Sequence, residues 1–428
     1  MFDPDALTTV VSDLGDGGLS PADYLYELRD RYETTNPTIH AFVSDPEWEY
    51  LDGLASSLPD RHDDRPPLYG VPVGIKDIVH VDGMPTRAGS DVPPEALTDV
   101  EASVVTALRE AGALVLGKTV TAEFAYFEPG PTRNPHDPDH TPGGSSSGSA
   151  AAVAAGLCPL ALGTQTVGSV IRPAAFCGIV GFKPSHGRVP IDGVIPVAPS
   201  VDHVGWFTAD VDGAALAASI LCRDWDGVDR ETANPDRPTL GVPDGAYLEQ
   251  ATEEGLAAFE ASRSDLEDAG YEIRRVDPFD DIEEVTERHG TIVDGEAALS
   301  HEPWFDTYRD VYADETIALV ERGREVKIGE LIDAHAGQLA LREQLHERMD
   351  DEGVDLWVCP SAPGPAPEGI DSTGNPVMNL PWSHTGTPAL TVPAGRVDDL
   401  PVGVQCVGRF GADERVLAWG HEIEMTVR

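Results

Sequence analysis

The chain of 428 residues carries 75 acidic against 29 basic side chains, a formal net charge of −46. Nucleic acid and anionic lipid are bound through clustered Lys and Arg, so this balance argues against both as direct partners. Disorder is excluded from the other side, because 41% of the residues are hydrophobic and 7 Trp, 10 Tyr and 11 Phe suffice for a large core.

Residues 1–60 read as helical and polar, with Ser20-Pro21 as a cap and first-turn proline. From Leu68 to Lys76 the chain is β-branched, apolar and Gly-rich, which predicts a strand; a helix follows near Ala102–Ala111 and a buried strand at Leu114–Lys118. A Pro-rich connector (130–143) leads to a small-residue helix from Ser147 to Leu157 and an apolar strand at Leu160–Leu162 that runs into Gly163-Thr164-Gln165-Thr166. Another strand is predicted at 178–182. Residues 245–350 are charged and helical, amphipathic near 252–269 and 328–349, and strands return at 354–358, 389–392 and 402–406 before a closing helix after Asp413. Strand–helix alternation of this kind predicts an α/β protein. Length alone allows two or three domains or one large one.

Only Lys76, Lys118, Lys183 and Lys327 are lysines; every other basic residue is Arg. Abundant acid with little lysine fits a salt-accumulating cytoplasm, where high ionic strength screens self-repulsion. Cys158, Cys177, Cys222, Cys359 and Cys406 lie far apart with no Cys-x-x-Cys pair, against a disulfide framework or a zinc ribbon. The start Met1-Phe2-Asp3-Pro4-Asp5 has no basic region or apolar run, and no stretch of about 18 apolar residues occurs, so a cytoplasmic protein is expected.

Three segments could carry chemistry. Thr141-Pro142-Gly143-Gly144-Ser145-Ser146-Ser147-Gly148-Ser149 opens directly into a helix, and as a glycine- and hydroxyl-rich loop it could cradle phosphate, present a nucleophile or simply cap that helix. Gly163-Thr164-Gln165-Thr166-Val167-Gly168-Ser169-Val170-Ile171-Arg172-Pro173 places a hydroxyl after a strand, which suits either acyl transfer or a plain turn. Lys76 lies in an apolar stretch, where desolvation would make it a base and Asp77 would make it an ion pair.

Together with Gly70-Val71-Pro72-Val73-Gly74-Ile75-Lys76-Asp77, these segments resemble the amidase signature family, with Ser169 following Ser145 by 24 residues. Gly117-Lys118-Thr119, Thr132-Arg133-Asn134-Pro135, Cys177-Gly178, Phe182-Lys183-Pro184-Ser185 and Leu400-Pro401-Val402-Gly403-Val404-Gln405 extend the likeness over nearly the whole chain, most weakly in 230–350. The resemblance implies a single α/β/α sandwich over 1–428 with a large mixed central sheet flanked by helices. Residues 66–210 would form the signature core, 240–350 a helical wall of the substrate pocket and 354–428 the terminal strands and helix. It implies Ser169 as nucleophile, Ser145 as a bridging serine after a cis peptide and Lys76 as base. Backbone N–H groups of Thr166, Val167, Gly168 and Ser169 would form the oxyanion hole, with Ser146 a substrate contact.

The implied activity is hydrolysis of a small-molecule carboxylic amide without metal or cofactor; a homodimer is compatible with it. The alternative is the glutaminase component of a tRNA-dependent amidotransferase, its A chain, which releases ammonia from glutamine and leaves the tRNA to a partner subunit. A non-catalytic protein on the same fold would be expected to lack a triad residue. Arg172 is expected either to bind a substrate carboxylate or to tie its loop to a nearby acid. Where relatives have Gly-Gly before the nucleophile, this chain has Val167-Gly168, so Val167 must keep an ordinary backbone conformation or the hole is altered, and its side chain narrows the site.

Other patterns carry less. Gly144-Ser145-Ser146-Ser147-Gly148 fits Gly-x-Ser-x-Gly, but a Pro-rich loop precedes it instead of a strand. His136 and His140 are four apart but separated by Pro138, against helical metal-binding geometry. Lys118 and Lys183 are expected to serve as scaffold ion pairs.

Overall fold

The computed structural model describes residues 3–59, 65–228 and 237–428; Met1 and Phe2, read above for a leader, and residue 60, the end of the first helical span, lie outside them. Ten strands build the centre: β1 Pro72–Lys76, β2 Leu114–Thr119, β3 Leu160–Gln165, β4 Val180–Lys183, β5 His203–Thr208, β6 Leu240–Pro243, β7 Ile273–Val276, β8 Leu356–Pro360, β9 Ala389–Val397 and β10 Leu400–Val407. They form one mixed sheet in the order β2-β1-β3-β5-β4-β9-β10-β8-β6-β7. Two parallel wings, β2-β1-β3 and β8-β6-β7, flank an antiparallel centre. Helices cover the sheet, which is why β1, β2, β3 and β5 are buried at every position and the apolar stretches of β1, β2 and β3 show no in–out alternation.

Local sequence accounts for several elements. Ser20 accepts a hydrogen bond from the Asp23 amide and Pro21 opens the first turn of the helix Pro21–Ile39. All eight residues of the helix Ser147–Ala154 are buried. A side chain at Gly148 could not fit there, since its Cβ would lie 2.2 Å from the Ala41 carbonyl and 2.3 Å from the Val120 amide nitrogen. That helix therefore packs backbone to backbone, and small residues are a steric condition of the contact.

Three expectations need correction. The strand expected from Leu68 begins at Pro72, because residues 68–70 form a turn with Gly70 at φ +70°. The strand expected from 178 begins at Val180, because Gly178 is the left-handed end of a helix, Ile171–Cys177, that the sequence did not announce. The helical span 245–350 is interrupted by β7, a half-buried edge strand. Strands β5 and β6 and the helix Val211–Leu221 were also not anticipated. Among the described residues, no helix is long and apolar enough to cross a membrane.

Candidate active site

In the parallel pair β1/β3, Ile75 stands opposite Leu162, so the carboxyl end of β1 brings Lys76 beside Thr164 near the end of β3. Ligands of such sheets gather at the carboxyl ends of the strands, where loops diverge. Two loops meet there: 141–146, which leads into the helix Ser147–Ala154, and 166–170, which leads into the helix Ile171–Cys177. The Gly144–Ser145 peptide bond is cis.

The side chains descend in depth. Ser169 is 8% exposed, Ser145 1% and Lys76 0%. Lys76 Nζ lies 2.7 Å from Ser145 Oγ and 2.8 Å from Thr164 Oγ1. Burial pulls the Lys76 ammonium well below its ordinary pKa, against a smaller opposing pull from Asp202. A neutral lysine that donates one N–H to Thr164 keeps its lone pair for the Ser145 hydroxyl. Asp77 does not compete, because its carboxylate pairs with Lys118 at 2.9 Å, and Lys118 also donates to Thr86.

Ser169 lines a pocket together with Thr166, Val167, Gly168 and Arg172. Its outer walls come from far along the chain: Ala125–Phe127, Val197, Val293 and Pro376. Phe124 and Ala125 both have positive φ, 46° and 59°, unusual for residues with side chains and found where a surrounding structure fixes them. Val167 has no such conformation, so it keeps an ordinary backbone, and it lines the pocket. Gly168 is needed for space, since a Cβ there would fall 2.5 Å from Asn379 Oδ1.

Arg172 is buried and holds the two loops together. It donates to the carbonyls of Gly144 and Gly374, both at 2.7 Å, and to Thr373 Oγ1 at 3.0 Å. The acid expected as its loop partner is not what it binds; all three partners are neutral oxygens, and burial pulls its pKa down to about 9. Ser146, expected to touch substrate, instead has its hydroxyl donating to Thr164 O and accepting from Thr164 N, both at 3.2 Å, which fastens its loop to β3. Lys183, expected in an ion pair, donates to the carbonyls of Thr387 and Pro184, because the nearby Asp413 carboxylate is taken by the Ser185 amide and hydroxyl. Burial lowers its pKa to about 7. His136 faces the Cys177 carbonyl and His140 pairs with Asp137, so the two imidazoles serve separate partners.

Sequence reading missed several contributors. Thr164 and Gln165 sat inside the motif without a role. Asp202 accepts from Thr166 Oγ1 at 2.6 Å and from the amides of Val197 and Ala198, and burial raises its pKa to about 6. Ser383, more than two hundred residues past the nucleophile segment, gave no signal at all.

A family model described as Amidase matches residues 23–417. The chain belongs to the amidase signature family. It is 33% identical over 417 residues to the A component of the glutamyl-tRNA(Gln) amidotransferase of Koribacter versatilis (strain Ellin345), an alignment spanning 86% of each protein. A crystal structure of an amidase superposes with a TM-score of 0.89 at 33% identity, covering 99% of this chain and 100% of that one. The native peptide amidase from Stenotrophomonas maltophilia superposes with a TM-score of 0.82 at 25% identity, covering 97% and 96%. Family membership and these structural neighbours make the chain a hydrolase acting on carbon–nitrogen amide bonds, and its ten-stranded sheet is the large mixed central sheet that the resemblance implied.

Proposed function

We propose that the protein hydrolyses a small amide through a Ser169 acyl-enzyme, with Ser145 as proton bridge and Lys76 as base. The observation that carries this is the fully buried Lys76 amine, 2.7 Å from Ser145 Oγ and without an ion-pair partner among the described residues. Neutral Lys76 takes the Ser145 proton while Ser145 takes that of Ser169, whose Oγ attacks the amide carbonyl. The backbone N–H groups of Thr166, Val167, Gly168 and Ser169 hold the oxyanion. Collapse breaks the C–N bond, and the Lys76 ammonium returns a proton through Ser145 to the leaving nitrogen. Water then enters, gives up a proton along the same route and releases the carboxylate.

The preferred substrate carries a carboxylate. In support, Arg172 lines the pocket with a buried positive charge that, among the described residues, is bound only by neutral oxygens and has no hydrogen-bond partner at Nε. Residues 1–428 act as one domain in this reading: 66–210 supply the triad, while Val293 from the 240–350 segment and Pro376 from 354–428 wall the pocket. A reducing, salt-rich cytoplasm fits the five free, buried cysteines and the net charge of −46. A second reading, the glutaminase component of a tRNA-dependent amidotransferase, is favoured by the name of the Koribacter versatilis relative.

One assay separates these: succinamate, butyramide and glutamine offered to the purified chain at high salt, with wild type and Arg172→Ala. The proposal expects turnover of succinamate over butyramide, with the preference lost in the variant. Equal rates on both amides overturn the carboxylate assignment. Glutamine turnover that requires an added partner protein favours the second reading.

A further inference from the structure

The loop that bears the proposed oxyanion donors is closed by a ring of buried hydrogen bonds whose key member comes from elsewhere in the chain. Ser383, on the short helix Leu380–His384, donates its hydroxyl proton to the Val167 carbonyl at 2.6 Å. Ser383 Oγ itself accepts from Gln165 Nε2 at 2.9 Å. Gln165 Oε1 in turn accepts from the amides of Val170 and Ile171, at 2.8 and 2.9 Å. The ring therefore grips residues 166–169 on both sides of the nucleophile. Gln165 and Ser383 are fully buried, and neither lines the pocket.

We propose that Ser383 is a positioning residue that aims the Gly168 N–H into the oxyanion hole. This rests on the reading of Ser169 as nucleophile. A trans peptide is planar, with C=O and N–H on opposite sides, so fixing the direction of one fixes the other. Ser383 lies in the protein interior and draws the Val167 carbonyl away from the pocket. The N–H of the same peptide unit belongs to Gly168, which lines that pocket; planarity turns it the opposite way from the carbonyl, and in this proposal that is toward the place the substrate oxygen would take. Gly168 leaves no room for a side chain on its other flank, where Asn379 stands, so the peptide has one correct setting to be held in. Without the Ser383 hydroxyl the unit would be free to rotate, and the donor would have to be oriented during the reaction instead of before it.

The test compares wild type with Ser383→Ala, Ser383→Cys and Ser383→Thr. The readouts are kcat and KM on whichever of succinamate or butyramide the wild type turns over, and the rate at which a short-chain alkyl fluorophosphonate labels Ser169. Labelling also develops charge on an oxygen in the hole and does not depend on the natural substrate. Loss of one oxyanion donor costs on the order of 100-fold in kcat. Ser383→Ala is expected to lose about that much in kcat and labelling rate with KM within about two-fold, and Ser383→Thr, which restores the hydroxyl, to recover most of it. If the alanine variant does not fold, the near-isosteric Ser383→Cys, a weak donor, is expected to fold and to show the same selective loss. Wild-type kcat and labelling in either folded variant overturn the proposal, as does equal damage in the Thr variant. Ser169→Ala runs alongside: residual labelling or activity there would sink the nucleophile assignment itself, a failure distinct from that of Ser383.

Discussion

Asp77 is bonded to Lys118 and not to Lys76, its neighbour in sequence, with a nitrogen–oxygen distance of 2.9 Å. Asp77 stands in the turn just past the end of β1, where its carboxylate neutralises Lys118, and Lys76 is left to the hydroxyls of Ser145 and Thr164. Both lysines are nearly inaccessible, and both have their pKa lowered by burial. Only the one without a carboxylate is free to act as a base.

Replacing Asp77 by Asn should therefore damage stability before chemistry. It strands the Lys118 charge in the interior, a change that costs about 3–5 kcal/mol when one partner of a buried pair is removed. Urea unfolding should show it as a lower midpoint, and pairing Asp77→Asn with Lys118→Met should recover much of the loss. An unchanged midpoint in the single variant would mean that the pair does not hold this end of the sheet.

Ser169→Ala should abolish amide hydrolysis and Lys76→Ala should reduce it by at least about 1000-fold, both with wild-type circular dichroism. Because either residue disables the same relay, the double variant should be no worse than the singles. Additive losses would argue for two independent roles.

Activity should fall as pH falls. The Lys76 pKa is lowered by burial, so the neutral, competent form prevails above that pKa and is lost by protonation below it. Thr164→Val removes the acceptor that orients the amine and should lower kcat about ten-fold, while Thr164→Ser should retain it. A kcat profile that stays flat down to about pH 5 would exclude a neutral lysine base.

Acid should also unfold the protein through histidines away from the pocket. His289 and His384 are buried beside each other, and burial lowers their pKa to about 4 and about 3. Each binds its proton more readily in the unfolded chain, so stability is full above about pH 6.5 and declines as pH falls toward the folded-state values. For His289 the loss is about 3 kcal/mol between pH 6.5 and 4. The thermal midpoint of His289→Asn should depend less steeply on pH in that window; an identical slope would remove His289 as a cause.

Salt should stabilise the fold. With a net charge of −46, raising KCl from about 0.1 to 2 M shortens the screening length to a few ångströms and should raise the thermal midpoint by several degrees. A midpoint that falls would contradict the reading of the acidic surface.

The sequence by itself determined the class of chemistry. Lys76, Ser145 and Ser169 sit in short segments whose glycines and hydroxyls cluster along the chain, since Gly148 must admit the backbone of Ala41 and Val120, Gly168 must admit the Asn379 side chain, and each loop turns directly into a helix. Local constraints of that kind leave motifs. It also carried the α/β alternation, since buried parallel strands and their covering helices differ in pattern. What only the tertiary structure decided were the partners: that Asp77 binds Lys118, that Ser146 fastens its loop to Thr164, that Lys183 meets carbonyls, and that Ser383 reaches Val167. Such contacts join residues from distant strands and loops. Many residue types could make each of them, and only the assembled sheet order brings a given pair within about 3 Å.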